Sequence, residues 1–238
     1  TFFSGSKYVG DMLDGKRHGK GVKTWTNGDK YTGEWKRDKR EGQGVFEGCD
    51  GYRYEGEWVE NYKHGRGKCT FPNGDIYEGE WDRDKASGQG IFSRRNGDRF
   101  EGSYRDDMCN GFGIYYFANG NRYEGHWRDG MKTGAGKVVW NDGREFEGTF
   151  SMDCPVSGEL TEVDGSVHSV VYDGKTTFGR GAEPLSRMMI LSAAEARSKS
   201  STNSSSAASS ASRRAPAPAA DDDWDRKPTT PAAAAAAT

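Results

Sequence analysis

One pattern recurs along this chain at a fixed interval: two aromatic residues separated by three positions, with a glycine midway between them. It is clearest in the stretch Tyr54–Trp58, and it returns as Tyr31–Trp35 and Tyr77–Trp81. The first aromatic residue of each copy stands at position 8, 31, 54, 77, 100, 123 or 146, so every step is 23 residues. A constant period of this size indicates a repeat architecture in which each unit packs mainly on its neighbours. We number the units one to seven from these positions.

Each unit is predicted to form two short strands. Alternation along the first strand places Tyr31, Gly33 and Trp35 on one face, which we call the inner face, and Thr32 and Glu34 on the outer face. A polar loop, residues 36–41 in unit two, is expected next, and a Gly-x-Gly sequence then opens the second strand. Asn-Gly or Asp-Gly closes the unit, which predicts a hairpin turn with positive φ at both central residues.

Consecutive hairpins predict an all-β fold: an elongated, single-layer antiparallel β-meander. The glycines suggest how one layer holds together, because a ring from the next strand can lie over the bare backbone of a residue such as Gly33. The inner face is expected to have no covering layer of its own.

The pattern decays after Phe150, and the segment Val167–Tyr172 is interpreted as part of a degenerate terminal unit that caps the sheet. We therefore predict a repeat domain over residues 1–181 and a short helix over residues 182–198, with Pro184 in its first turn. Residues 199–238 are rich in Ser, Ala and Pro, and such a tail is expected to be disordered.

Composition excludes several classes of function. The chain has 34 Lys and Arg against 36 Asp and Glu, so no basic stripe for nucleic acid is expected, and membrane association is disfavoured for the same reason. Its four cysteines, at positions 49, 69, 109 and 154, form no Cys-x-x-Cys motif. Free thiols of this kind predict a reducing, cytoplasmic setting.

Three features resemble active sites, and each has a simpler explanation. Glu55 and Glu57 share the solvated outer face, and the same pair recurs in unit four, so pairing with Lys and Arg across strands is expected. His18 and His64 occupy one repeat position two units apart, too far to share a metal. The Gly-x-Gly sequences lack a third glycine and precede a strand, which argues against a dinucleotide site. We predict no catalytic residue, metal or cofactor.

The recurring aromatic-x-Gly-x-aromatic phrase, Gly-x-Gly and Asn-Gly resemble MORN repeats over residues 8–165. The resemblance implies a structural scaffold, because similar proteins include radial-spoke head components, other axonemal proteins and cytoskeletal organisers. It makes a ciliary or flagellar axonemal complex the expected setting, in the cytoplasm and cytoskeleton. The alternatives are an adaptor at membrane junctions or lipid surfaces, and the regulatory part of a larger enzyme.

The inner face of units two to six is the predicted partner-binding site, expected to take a helix or extended peptide of another protein. Large rings supply contact area at low entropic cost. The candidate residues are Tyr31, Trp35, Tyr54, Trp58, Tyr77, Trp81, Phe100, Tyr104, Tyr123 and Trp127.

Overall fold

The computed structural model describes residues 5–171 and 189–190. Within them, sixteen strands form one antiparallel sheet whose spatial order is the order along the chain. The strands are β1 (Lys7–Leu13), β2 (Lys16–Thr24), β3 (Lys30–Lys36), β4 (Lys39–Glu47), β5 (Arg53–Val59), β6 (Tyr62–Thr70), β7 (Ile76–Asp82), β8 (Lys85–Ser93), β9 (Arg99–Arg105), β10 (Met108–Tyr116), β11 (Arg122–Arg128), β12 (Met131–Val139), β13 (Glu145–Ser151), β14 (Cys154–Thr161), β15 (Val167–Val171) and β16 (Met189–Ile190). Residues 5–171 contain no helix, so the predicted all-β meander is confirmed.

The C-terminal end of the sheet is built from the degenerate unit. β15 pairs with β14 along its length, and Ile190 of β16 then pairs with Val170. Met189 and Ile190 are therefore extended, although they fall inside the helix predicted over residues 182–198. The rest of that predicted helix and the predicted tail over residues 199–238 lie outside the described residues.

A row of glycines crosses the sheet at right angles to its strands, because strand register places one glycine opposite another at each pairing. It runs through residues Gly10, Gly21, Gly33, Gly44, Gly56, Gly67, Gly79, Gly90, Gly102, Gly113, Gly125, Gly136, Gly148 and Gly158. The first aromatic residue of each unit fills the space above this row. A Cβ built on Gly67 would meet the phenol ring of Tyr54, and one built on Gly56 would lie 2.8 Å from the hydroxyl of the same tyrosine.

The predicted interlock of rings and glycines is thus confirmed, but the prediction of which strand supplies the ring is wrong. The ring over Gly56 belongs to Tyr54 of the same strand, β5, and it extends over Gly67 of the following strand. The reason is that residues two apart on one strand point to the same face, so each ring leans along its own strand.

The two turns of each unit are the reverse of the prediction. No six-residue loop follows the first strand: β3 ends at Lys36 and β4 begins at Lys39. The two intervening residues, Arg37 and Asp38, have φ values of 48° and 73°, as a type I′ hairpin turn requires. At the Asn-Gly turn only the glycine, Gly28, has positive φ, and its N–H donates to the carbonyl of Trp25.

A β-bulge in the second strand explains the first glycine of each Gly-x-Gly. The register shifts between Gly56 and Glu57, where β6 carries two extra residues. Gly65 adopts φ of 55° at this bulge, and a Cβ there would collide with the Glu57 carboxylate. That carboxylate accepts the backbone N–H of Arg66 at 2.9 Å. Bulges of this type increase local twist. They recur in each of the first six units, and the interruption is wider in units one and five.

Hydrogen bonds at the type I′ turns connect each unit to the one before it. The carboxylate of Asp84, whose φ is 70°, accepts the backbone N–H of Lys63 at 2.8 Å. The backbone N–H of Asp84 donates in return to the carbonyl of Lys63. Asp38, Asn61, Asp107 and Asp153 make the same pair of bonds to the preceding unit. These turns therefore fix the spacing between successive units.

Candidate binding face

The inner face carries a continuous ladder of aromatic rings, which we call the first ladder. Tyr54 stacks edge-on against Trp58 of its own unit at 5.0 Å and against Trp81 of the next unit at 5.4 Å. The same contacts link every unit from Tyr8 to Phe150, with ring centroids 5.0–5.6 Å apart. Perpendicular pairs of this kind stabilise a core beyond the area that they bury.

All ten predicted partner-binding residues belong to the first ladder, and the structure brings them together as one row. Their side chains are buried: the most exposed, Tyr104, has only 6% of its surface accessible. An inner face without a covering layer would leave these rings exposed, and that expectation is wrong. Rings of neighbouring units cover one another, and cationic side chains cover several of the rings, although no second layer packs on the sheet within the described residues. Their role in binding stays a prediction.

The indole N–H groups and most tyrosine hydroxyls of the first ladder are satisfied by the backbone, whereas the Tyr104 hydroxyl is buried without a backbone partner. The indole N–H of Trp58 donates to the carbonyl of Gly44 in the glycine row at 3.1 Å, and the tryptophans of units two, four and six repeat this bond. The hydroxyl of Tyr54 donates to the carbonyl of Glu57 at 3.0 Å. These bonds allow tyrosine and tryptophan to be buried without losing hydrogen bonds to water.

Buried cations cover part of the first ladder, and the sequence analysis missed them. The Arg40 guanidinium carbon lies 4.3 Å from the centre of the Trp58 ring, and Lys63 Nζ lies 4.0 Å from that of Trp81. Burial lowers the pKa of Lys63 to about 8 and that of Arg40 to about 10. Each of the two residues falls nine positions after the first aromatic residue of its unit. Alternation along the second strand would assign this position to the inner face. The sequence analysis placed it in a loop instead, residues 36–41 in unit two, and so did not consider it.

A second, shorter ladder lies beside the first on the inner face. It connects Trp25, Phe46, Tyr52, Phe71 and Phe92, with neighbouring ring centroids 5.9–6.1 Å apart. Phe46 and Tyr52 are buried, whereas Trp25, Phe71 and Phe92 are only partly buried. The partly accessible rings that pack against this core are therefore three rings of the second ladder, with Tyr8 and Phe117, and not the ten predicted residues.

The outer face carries charged and polar side chains in pairs. Glu55 forms an ion pair with Arg53 of its own strand at 2.8 Å, and Glu78 pairs across strands with Lys68 at 3.4 Å. Glu57 departs from the expected pairing with a cation, because its carboxylate holds the backbone of the bulge. A shallow groove on this face runs over the glycine row between units three and five, with Arg66, Lys68, Glu78, Gln89, Ile91 and Glu101 along its sides.

The histidines and cysteines form no metal centre. His64 is paired with Asp82, with 3.5 Å between His64 Nδ1 and Asp82 Oδ1. Among residues 5–171 and 189–190, no group of three His, Cys, Asp or Glu side chains is arranged to hold a metal ion. All four cysteines are free thiols, and burial raises the pKa of Cys69 to about 11. In the same part of the chain, no helix has the length and apolar character needed to cross a membrane.

Solved structures with similar chain traces are only distantly related to this sheet. The TCP domain of Drosophila melanogaster SAS-4 (dCPAP), in complex with a proline-rich motif of Ana2, aligns with a TM-score of 0.44 and 12% identity over 71% of this chain and 92% of that chain. The TCP10 domain of Danio rerio CPAP, in complex with a peptide of STIL, aligns with a TM-score of 0.28 and 14% identity over 71% of this chain and 86% of that chain. At these TM-scores the likeness supports no argument about the present protein.

Sequence comparison gives a clearer result. The search of curated proteins found no match to this sequence. The family model described as MORN repeat matches residues 8–30, 31–51, 54–76, 77–99, 100–122 and 123–143. Each match covers one hairpin of the sheet, and all six begin at the first aromatic residue of a unit. This chain therefore belongs to the MORN-repeat family.

Proposed function

We propose that this protein is a non-enzymatic scaffold that binds other proteins along the inner face of its sheet. The observation that supports this proposal is the second ladder, which presents the partly exposed rings Trp25, Phe71 and Phe92 on a face that is otherwise filled. Rings held at fixed spacing by their neighbours lose little entropy on binding, and such anchors dominate the energy of many interfaces.

The partner is a helix or an extended peptide of another protein, lying along the second ladder. The first ladder then has a supporting role, because its buried rings hold the strands in place and so fix the positions of the second-ladder rings that the partner contacts. Direct contact with the ten predicted residues is limited by their burial. Contacts on the outer face would meet alternating charges, which favour specificity over affinity.

The setting that we propose is a ciliary or flagellar axonemal complex, with a radial-spoke head or a microtubule-associated complex as the first candidate. Support comes from the resemblance of the repeats to those of axonemal scaffolds. It also comes from the regular sheet, in which turn residues such as Asp84 fix the spacing of successive units and give an extended surface suited to assembly.

Affinity purification from flagellated cells, followed by mass spectrometry, tests this function. The full chain is expected to recover axonemal proteins, and the double variant Phe71→Ser with Phe92→Ser is expected to lose them while remaining folded. Recovery of membrane-junction proteins or of kinase subunits would contradict the axonemal setting. Equal recovery by the folded double variant would contradict binding through the second ladder.

A further inference from the structure

The two ends of the described sheet differ in how their edge strands are covered. At one end β15 receives a further strand, β16, on its outer edge. At the other end β1 pairs with β2 alone. Val9, Met12 and Leu13 of β1 are 59%, 50% and 51% exposed. An open edge leaves backbone N–H and C=O groups unpaired and is a template for another strand.

The features that usually block an edge strand are largely missing from β1. It is seven residues long and contains no proline. The register of this hairpin breaks between Gly10 and Met12, where three residues of β2 oppose Asp11, and Gly10 of β1 has a φ of 157°. The Asp11 carboxylate, which could repel an incoming strand, is held by the backbone N–H of Lys20 at 2.9 Å. β1 can therefore accept a partner strand on both sides of Gly10.

We propose that β1 is the interface of a two-fold symmetric dimer, in which the β1 strands of two copies of this chain pair antiparallel about Gly10. Gly10 is the central residue of β1. Pairing about it continues the glycine row across the symmetry axis. Tyr8 of one copy then faces Met12 of the other on the inner face, a favourable contact between sulfur and an aromatic ring. Lys7 faces Leu13 of the other copy on the outer face.

A second copy fits this edge better than another MORN unit does. Each later unit contacts the unit before it through a tryptophan or through an Asp or Asn at the type I′ turn. In unit two, the indole N–H of Trp35 donates to the carbonyl of Gly21, and the Asp38 carboxylate accepts the backbone N–H of Arg17. Unit one alone has neither residue at these positions, because Met12 and Gly15 stand there. Unit one thus lacks the groups that would hold a preceding unit. Antiparallel pairing of two β1 strands about Gly10 requires neither the tryptophan nor the turn Asp or Asn.

Sedimentation velocity of the full chain, residues 1–238, tests the dimer. The unaltered protein is expected to associate reversibly to a dimer over a concentration series. Leu13→Lys places a lysine against Lys7 of the other copy at two symmetric positions, so the dissociation constant is expected to rise about tenfold. Val59→Lys is the matched control, because Val59 has the same position in unit three and is 43% exposed on an interior strand. It is expected to leave the dimer unchanged.

The register is tested by a charge exchange. Adding Lys7→Glu to Leu13→Lys places opposite charges across the two-fold axis, and the double variant is expected to recover the dimer. A protein that is monomeric at every concentration overturns the proposal, as does a dimer that Leu13→Lys does not weaken. Loss of the dimer in Leu13→Lys without recovery in the double variant overturns the proposed register, provided that circular dichroism shows both variants folded.

Discussion

At the scale of single residues, the glycine row is required by the tyrosine rings above it. Gly56 is buried, and a Cβ there would lie 2.6 Å from the carbonyl of Arg66 and 2.8 Å from the Tyr54 hydroxyl. We expect Gly56→Val to reduce the free energy of unfolding by more than about 3 kcal/mol, the upper part of the range for single substitutions. Urea denaturation measures this change. Thr32→Ala on the outer face serves as control, and an equally small effect of both variants would show that the ring and the glycine do not interlock.

The same scale offers a test of the buried cations. Arg17 pairs with a carboxylate, Asp38, at 3.0 Å, but Arg40 meets the neutral Asn61 and leaves its Nη1 atom without a hydrogen bond. Asp tolerates the positive φ of this turn, as Asp38 shows. Asn61→Asp is therefore expected to raise the free energy of unfolding by about 1 kcal/mol through a charge-assisted hydrogen bond.

The reverse change, Asp38→Asn, is the matched control for this prediction and is expected to lower the free energy of unfolding by a similar amount. Both values come from urea denaturation at neutral pH. If Asn61→Asp destabilised the protein, the cost of burying the carboxylate would exceed the gain from pairing with Arg40, and the account of these cations would be wrong.

At the scale of elements, the type I′ turns fix the distance between units. Asp84 has a double role, since it adopts φ of 70° and accepts the N–H of Lys63. Asp84→Ala loses the hydrogen bond and also strains the backbone, so a loss of about 2 kcal/mol is expected. Asp84→Gly loses the same carboxylate but avoids the backbone strain, so about half that loss is expected. Thermal denaturation separates the two variants, and an equal loss in both would show that positive φ carries no cost here.

Elements were predictable from the sequence to different degrees. Strand number, order and faces follow from the 23-residue period, because alternation alone fixes which residues share a face. The type of turn could not be predicted from the sequence. The pair Arg37 and Asp38 contains no glycine, and contacts to another unit hold its positive φ values. Ring exposure did not follow either, since Trp58 is covered by Tyr31 and Arg40, which lie on two other strands.

At the scale of the whole molecule, the buried titratable groups make stability depend on alkaline pH. Burial lowers the pKa of Lys63 from 10.5 to about 8. Above pH 8 the unfolded chain therefore binds more protons at this lysine than the folded chain, and stability rises with pH. Burial raises the pKa of Cys69 and Cys109 above the usual 9.0 and that of Tyr31 and Tyr54 above 10.0, so stability falls as pH rises through these usual values.

The free energy of unfolding is thus expected to pass through a maximum near pH 9 and to decline steeply above pH 10. Urea denaturation under reducing conditions across this range provides the measurement. Lys63→Met is expected to remove the rise between pH 8 and pH 9 while leaving the decline. A profile that rises in the variant as well would assign the effect to groups other than Lys63.

For the whole molecule we propose a scaffold whose inner face binds protein partners through the second ladder. The first ladder cannot be tested by substitution without disturbing the fold, since Trp58 is only 1% exposed. On the outer face, Glu57 holds a bulge, so Glu55 and Glu78 are the better control positions there.

The most direct test of the central claim is the affinity of a recovered partner for variants of the two faces, measured by isothermal titration calorimetry on proteins shown to be folded. Phe71→Ser with Phe92→Ser is predicted to weaken binding by tenfold or more, about 1.4 kcal/mol or more, because aromatic anchors are lost. Glu55→Lys with Glu78→Lys is predicted to change the affinity by less than about threefold. The opposite result, with binding retained by the phenylalanine variant and lost by the glutamate variant, would place the docking surface on the outer face and contradict the account.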